Sequence, residues 1–107
     1  MFTRGQNTGG SVDGLQKFEF TSPSSEDITL GFEPTYMTYV AYTGATRRTI
    51  TYDKTQSQTY YSYGVSGSYA NKDMSYTGYG CPKQITSTGF KIYSPSEVTS
   101  LVVYATA

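Results

Sequence analysis

The sequence predicts an all-β fold, an antiparallel β-sandwich of about seven short strands. Composition, periodicity and punctuation carry that expectation. Twelve Tyr and five Phe stand among abundant Ser and Thr, while Ala and Leu are scarce. β-Branched and aromatic residues therefore outweigh good helix formers. Apolar and polar residues alternate with a period of two in several short runs. Gly, Pro and polar clusters separate those runs about every ten residues, the spacing of a sandwich or small barrel. At 107 residues the chain has room for one domain and one modest core, because a chain of this size buries about 65% of its unfolded surface.

Taken in order, residues 1–14 read as a flexible lead-in or linker, with Gly5, Gly9, Gly10 and Gly14 among polar residues. A single β-sandwich domain is expected over 15–107. Its first strand is LQKFEFT (15–21), with Phe18 and Phe20 on one face and Lys17 and Glu19 on the other. DITLGF (27–32) alternates Ile28, Leu30 and Phe32 with Asp27, Thr29 and Gly31, and Pro34 closes it. TYMTYVAY (35–42) is apolar on both faces, which predicts a central strand covered on both sides. Gly44 turns the chain, and RRTITYD (47–53) pairs back as a hairpin with Arg48, Ile50 and Tyr52 facing one way. TYYSYG (59–64) follows, with Tyr61 and Tyr63 on one face and Tyr60 opposite. Residues 64–80, rich in Gly and Tyr, read as a long irregular loop. QITSTGFKIYS (84–94) and VTSLVVYAT (98–106) complete the set, and the second is apolar enough to lie inside a sheet. ITLGFEP (28–34) is echoed by ITSTGFKIYSP (85–95), two strands that each need a glycine at a close approach and then a buried phenylalanine.

Net charge is zero and charged residues are sparse. Arg47 and Arg48 are adjacent, but no basic stripe follows, so the chain lacks the footprint of a nucleic-acid binder. A neutral surface of this kind relies on hydroxyls and amides, a style common in extracellular, viral and carbohydrate-facing β proteins. Cys81 is the single cysteine, which rules out an internal disulfide and is compatible with folding in a reducing cytoplasm. No apolar run approaches the roughly 18 residues that span a membrane, and the polar opening MFTRGQNTGGS does not resemble a secretory leader.

Catalytic chemistry finds little support. With no histidine, every Ser-His-Asp and Cys-His scheme falls. Cys81, between Gly80 and Pro82, reads as a small buried anchor. The carboxylates, Glu33, Asp53 and Glu97 among them, sit at strand ends and turns as ordinary solvated caps. Asn71 and Asp73 have the alternate spacing of oxygen ligands, but the rest of a calcium loop is missing. No enzyme activity, metal or cofactor is expected. Tyrosine is the remaining signal. Strand residues such as Tyr39 and Tyr104 suit cross-strand packing. Tyr69, Tyr76 and Tyr79 fall in the expected loop, where core roles are fewer. With Asn71 and Asp73 they form the candidate ligand-binding set, since aromatic rings flanked by hydroxyls, amides and carboxylates suit the CH faces and hydroxyls of sugars.

Gly31-Phe32 with Pro34, Gly89-Phe90, and the closing Val103-Tyr104-Ala105 give residues 15–107 a pattern that resembles the C-terminal domains of bacteriophage tail-fibre and minor structural proteins. The resemblance implies a lectin-like β-sandwich head, trimeric and non-catalytic, that recognises a bacterial surface glycan. It also implies a virion protein assembled in the host cytoplasm. The family supplies no binding residue that can be carried over position by position. One departure is the start at Met1 with no fibrous shaft ahead of the domain, which keeps open both an isolated fragment of a longer fibre protein and a free-standing capsid-decoration or head-fibre subunit acting through contacts with other virion subunits.

Overall fold

A computed structural model describes residues 11, 12 and 14–107; the rest of the expected lead-in lies outside them. The strands are β1 (Ser11–Val12), β2 (Leu15–Thr21), β3 (Asp27–Thr29), β4 (Tyr36–Thr43), β5 (Thr46–Asp53), β6 (Tyr60–Val65), β7 (Ser68–Asp73), β8 (Pro82–Thr86), β9 (Gly89–Ile92) and β10 (Ser100–Thr106). They form two antiparallel sheets. The large sheet has the order β1-β2-β10-β4-β5-β6-β7, and the small one β3-β9-β8. The all-β sandwich expectation therefore holds, as do the interior position of the last strand and the β4–β5 hairpin.

Register explains the core. Across the large sheet Phe18 lies opposite Val103, Val103 opposite Tyr39, Tyr39 opposite Ile50, and Ile50 opposite Tyr63. All five are buried, as period-two patterning requires of one face. The small sheet packs Ile28, Phe90 and Ile92 onto this row, with Leu30 and Val98 from the flanking segments. Tyr39 and Phe90 join the two layers with ring centroids 5.1 Å apart, and Phe18 and Phe32 meet at 6.1 Å.

Several sequence expectations are corrected. The run 84–94 is not one strand: the chain reverses at Ser87-Thr88, so Gly89 pairs back on Thr86. Residues 64–80 are not a long irregular loop. Ser66 and Gly67 both have positive φ, the conformation a tight two-residue hairpin turn demands, and β7 pairs with β6 along its whole length. Ser11–Val12 of the expected linker pairs with Leu15 and Gln16. These differences raise the strand count from about seven to nine besides the two-residue β1. The second strand stops at Thr29, where Leu30 and Gly31 both donate to the Thr88 carbonyl. Finally, β4 is central but covered on one side only: Met37, Tyr39 and Ala41 are buried, whereas Tyr36, Thr38 and Val40 are half-buried and Tyr42 is exposed.

The segment between β7 and β8 closes the core. Gly80 donates to the Tyr93 carbonyl, Tyr93 donates back to Cys81, and the Tyr93 hydroxyl donates to Met74 at 3.0 Å. The fully buried Tyr39 hydroxyl donates to the Gly80 carbonyl at 2.8 Å. Gly80 takes positive φ and sits so close to the sheet that a Cβ would stand 2.9 Å from Ala41 Cβ. Cys81 is fully buried. The Tyr61 hydroxyl, buried without a well-formed hydrogen bond among the described residues, has this thiol as its neighbour.

The internal echo resolves into two different needs. A Cβ at Gly89 would stand 1.9 Å from the Ile28 carbonyl oxygen, so only glycine lets β3 pair with β9 there. At Gly31 there is open space, and the requirement is a positive φ. Gly89→Ala is expected to destabilise the domain by about 2 kcal/mol in urea unfolding, the typical cost of overpacking a rigid site.

Burial pushes the Cys81 thiol from its ordinary 9.0 up to about 11 and raises the Tyr39 and Tyr61 hydroxyls. The folded state thus holds protons that the unfolded state releases. Stability is full below the unfolded thiol value of 9.0 and is lost as pH rises through the folded value of about 11. Urea midpoints should hold steady up to about pH 9 and decline above it. In Cys81→Ala the decline should begin only where unfolded tyrosine ionises, near 10.0.

Candidate functional site

Alternation sends every second residue of the large sheet outward, and no described element packs over that face. Thr38, Val40, Thr49, Thr51 and Ser62 lie half-buried on it, and Tyr69 and Asn71 are exposed. Thr38 and Thr51 pair their hydroxyls across β4 and β5 at 3.0 Å. The result is a hydroxyl-rich surface with aromatic rings near its ends.

At the end of this face where β5 enters the turn to β6 lies a cleft of about 640 Å³. It is lined by Tyr36, Thr51, Asp53, Gln56, Ser57, Tyr60, Tyr61, Ser62 and Asn71. Strand register builds most of it, because Tyr36 lies opposite Asp53, Thr51 opposite Ser62, and Ser62 opposite Asn71. The turn supplies the rim. Asp53 Oδ1 accepts from the Thr55 amide at 3.0 Å and the Thr55 hydroxyl at 2.6 Å, an Asx-type turn. The Gln56 and Ser57 amides both donate to the Asp53 carbonyl. Ser57 Oγ accepts from Thr59 and Tyr60 amides at 3.1 and 3.0 Å. These bonds hold the rim in place and set Tyr60 at its edge, 53% exposed.

The chemistry of the lining is that of a neutral, hydroxyl-bearing ligand. Tyr36 and Tyr60 bring aromatic side chains, Gln56 and Asn71 offer both donors and acceptors, and Asp53 accepts only. Among the described residues no cation lines the cleft, so an anionic group is disfavoured there.

The five residues expected from the sequence as a ligand set do not converge. Tyr69, Asn71 and Asp73 alternate along β7 on the open face. Asn71 lines the cleft, and Tyr69 lies farther along, opposite Gly64. Asp73 ends the strand opposite Tyr60, where the Ser75 hydroxyl and amide hold its carboxyl below the usual range. Tyr76 and Tyr79 are on the other side of the sheet. Tyr76 packs edge-on against Tyr63, with centroids 5.4 Å apart, and Lys72 stands 4.6 Å from its ring centre. Tyr79 lies under the Arg48 guanidinium at 5.5 Å, and Arg48 also donates to the Tyr63 hydroxyl. Tyr76 packs against the core, whereas Tyr79 stays partly exposed beneath Arg48, so neither ring reaches the open face.

Sequence reasoning missed Tyr36, Asp53, Gln56, Ser57 and Tyr60. Tyr60 carried a usable signal. It points away from its apolar neighbours Tyr61 and Tyr63 and directly follows the polar turn KTQSQT, so an outward ring beside hydrogen-bonding groups was written in the alternation. Comparison of the chain with protein-family models, curated proteins and solved structures returned no match.

Proposed function

We propose that this chain is a non-catalytic virion domain of the tail-fibre type and that it binds a bacterial surface glycan through the Tyr36–Tyr60 cleft. The cleft carries this reading: three tyrosines, two amides and a carboxylate line one preformed hollow built from paired strands and a hydrogen-bonded turn, the combination that suits sugar rings. The resemblance of residues 15–107 to tail-fibre domains supports the setting. The absence of histidine and a thiol kept protonated by burial support a binding role over a catalytic one.

Binding to a glycan array and to bacterial cells should fall about ten-fold or more in Tyr60→Ala and in Tyr36→Ala, the loss typical of a central aromatic contact. Tyr79→Ala should bind as wild type does. Full binding by both cleft variants would overturn the assignment.

A second reading, a structural virion subunit acting through contacts with its own copies, has one observation in its favour. Val102 lies opposite Val40 on the open face, beside Tyr104, which places an apolar stripe where no described element covers the sheet. Under this reading sedimentation shows a stable trimer without glycan affinity, and Val40→Lys dissociates it.

A further inference from the structure

The open face has a second hollow, at the opposite end of β5, β6 and β7 from the cleft. It measures about 340 Å³, and its lining includes Thr46, Arg47, Thr49, Gly64, Ser66 and Tyr69. Tyr69 is 68% exposed, yet its ring is seated. A Cβ at Gly64 would stand 2.2 Å from the ring, so the bare glycine backbone is the bed on which the aromatic lies. Arg47 shares this hollow. Among the described residues Lys17, Lys54, Lys83 and Lys91 each have a carboxylate partner, and Arg48 and Lys72 lie against tyrosine rings on the other side of the sheet, whereas Arg47 has neither kind of partner. Among the described residues no acidic side chain lines the hollow.

Register joins this hollow to the cleft. Thr49, Gly64 and Tyr69 form one row across three strands, and Thr51, Ser62 and Asn71 form the next row on the same face. Over its six residues β6 runs from one hollow to the other, about 17 Å at the rise of an extended strand. The path is acidic at the Asp53 end and basic at the Arg47 end, with hydroxyls between.

We propose that the open face of β5, β6 and β7 is one extended groove for an acidic oligosaccharide. Arg47 takes the anionic substituent, a uronate or a phosphate, beside the Tyr69 ring, and uncharged sugar units lie toward Tyr60. This deepens the glycan-binding reading and rests on it. A guanidinium suits the task because its planar fork matches both carboxylate and phosphate oxygens. Asp53 fixes the polarity, since an anionic group in the cleft would face a carboxylate.

The test is an array of bacterial surface oligosaccharides printed in uncharged, uronate-bearing and phosphate-bearing forms of the same backbones. It is probed with wild type, Arg47→Gln and Tyr60→Ala. Wild type should hold an acidic form about ten-fold more tightly than its uncharged counterpart, the worth of one charge-assisted contact. Added salt should shrink that preference. Arg47→Gln should bring the acidic form down to the level of the uncharged one, and Tyr60→Ala should weaken both. The uronate and phosphate arms distinguish the two sources of charge. An Arg47→Gln protein that keeps the acidic preference, or a wild type that prefers uncharged forms, overturns the groove and leaves glycan binding standing. A wild type that binds no sugar on the array overturns the glycan reading and the groove with it.

Discussion

The Tyr39 hydroxyl is the point from which the rest of the molecule is organised. It lies at the middle of the central strand, fully buried, and a buried hydroxyl without a partner costs on the order of 1–3 kcal/mol. Its partner is the Gly80 carbonyl at 2.8 Å. That bond draws the segment after β7 down onto the sheet until Gly80 touches Ala41. From there the segment has one course. It carries Tyr76 onto Tyr63 and Tyr79 under Arg48 and delivers Cys81 into the core. The same tyrosine ring lies against Phe90, so one side chain ties the large sheet to both of the elements that cover it.

Coverage is the second constraint. Three strands cannot shield seven, and the segment from Met74 to Cys81 extends the cover toward β5 and β6. All of that apolar cover goes to one face. The opposite face is built to stay wet, with Thr, Ser and Tyr hydroxyls in rows and few charges. A hydrated surface of hydroxyls and amides exchanges ordered water for ligand hydroxyls at small enthalpic cost. This is also how a chain of zero net charge presents a broad polar surface without a strong field of either sign.

Much of the fold was legible because period-two alternation is unambiguous where one face is buried. Leu15–Thr21 emerged with its boundaries, and the β4–β5 hairpin emerged within one residue at its ends and with its facing residues. The failures share a cause. Ser66-Gly67 and Ser87-Thr88 are tight turns inside segments whose flanking residues carry little apolar contrast. Tyr69, Asn71 and Asp73 are all polar-tipped and outward, while Ser68, Ala70 and Lys72 on the other face lie beyond most of the core cover. With neither side buried deeply, β7 leaves no apolar stripe to read, and register there is set by the turn and by Tyr69 on Gly64. The small sheet is legible only in three dimensions, because its pairing of β3 with β9 joins residues far apart in sequence. The candidate site was half legible. Asn71 and Tyr69 lie on the face that carries both hollows, but Tyr76 and Tyr79 were grouped with them by nearness in sequence, which β7 and the turn after it convert into opposite sides of a sheet.

Parity, and not membership of a loop or a strand, therefore divides the tyrosines. On β6 the inward Tyr61 and Tyr63 build the core, and the outward Tyr60 edges the cleft. This has a consequence for binding. Rings carried on paired strands are spaced by the sheet itself, about 4.8 Å between strands and about 7 Å between like-facing residues along one strand. Such spacing is fixed before a ligand arrives, so little conformational entropy is lost on binding. A regular row of contacts of that kind fits a ligand that is itself a repeating chain better than a compact one. The backbone order of β5, β6 and β7, more than any single side chain, is what suits the proposed groove to the extended oligosaccharide proposed for it.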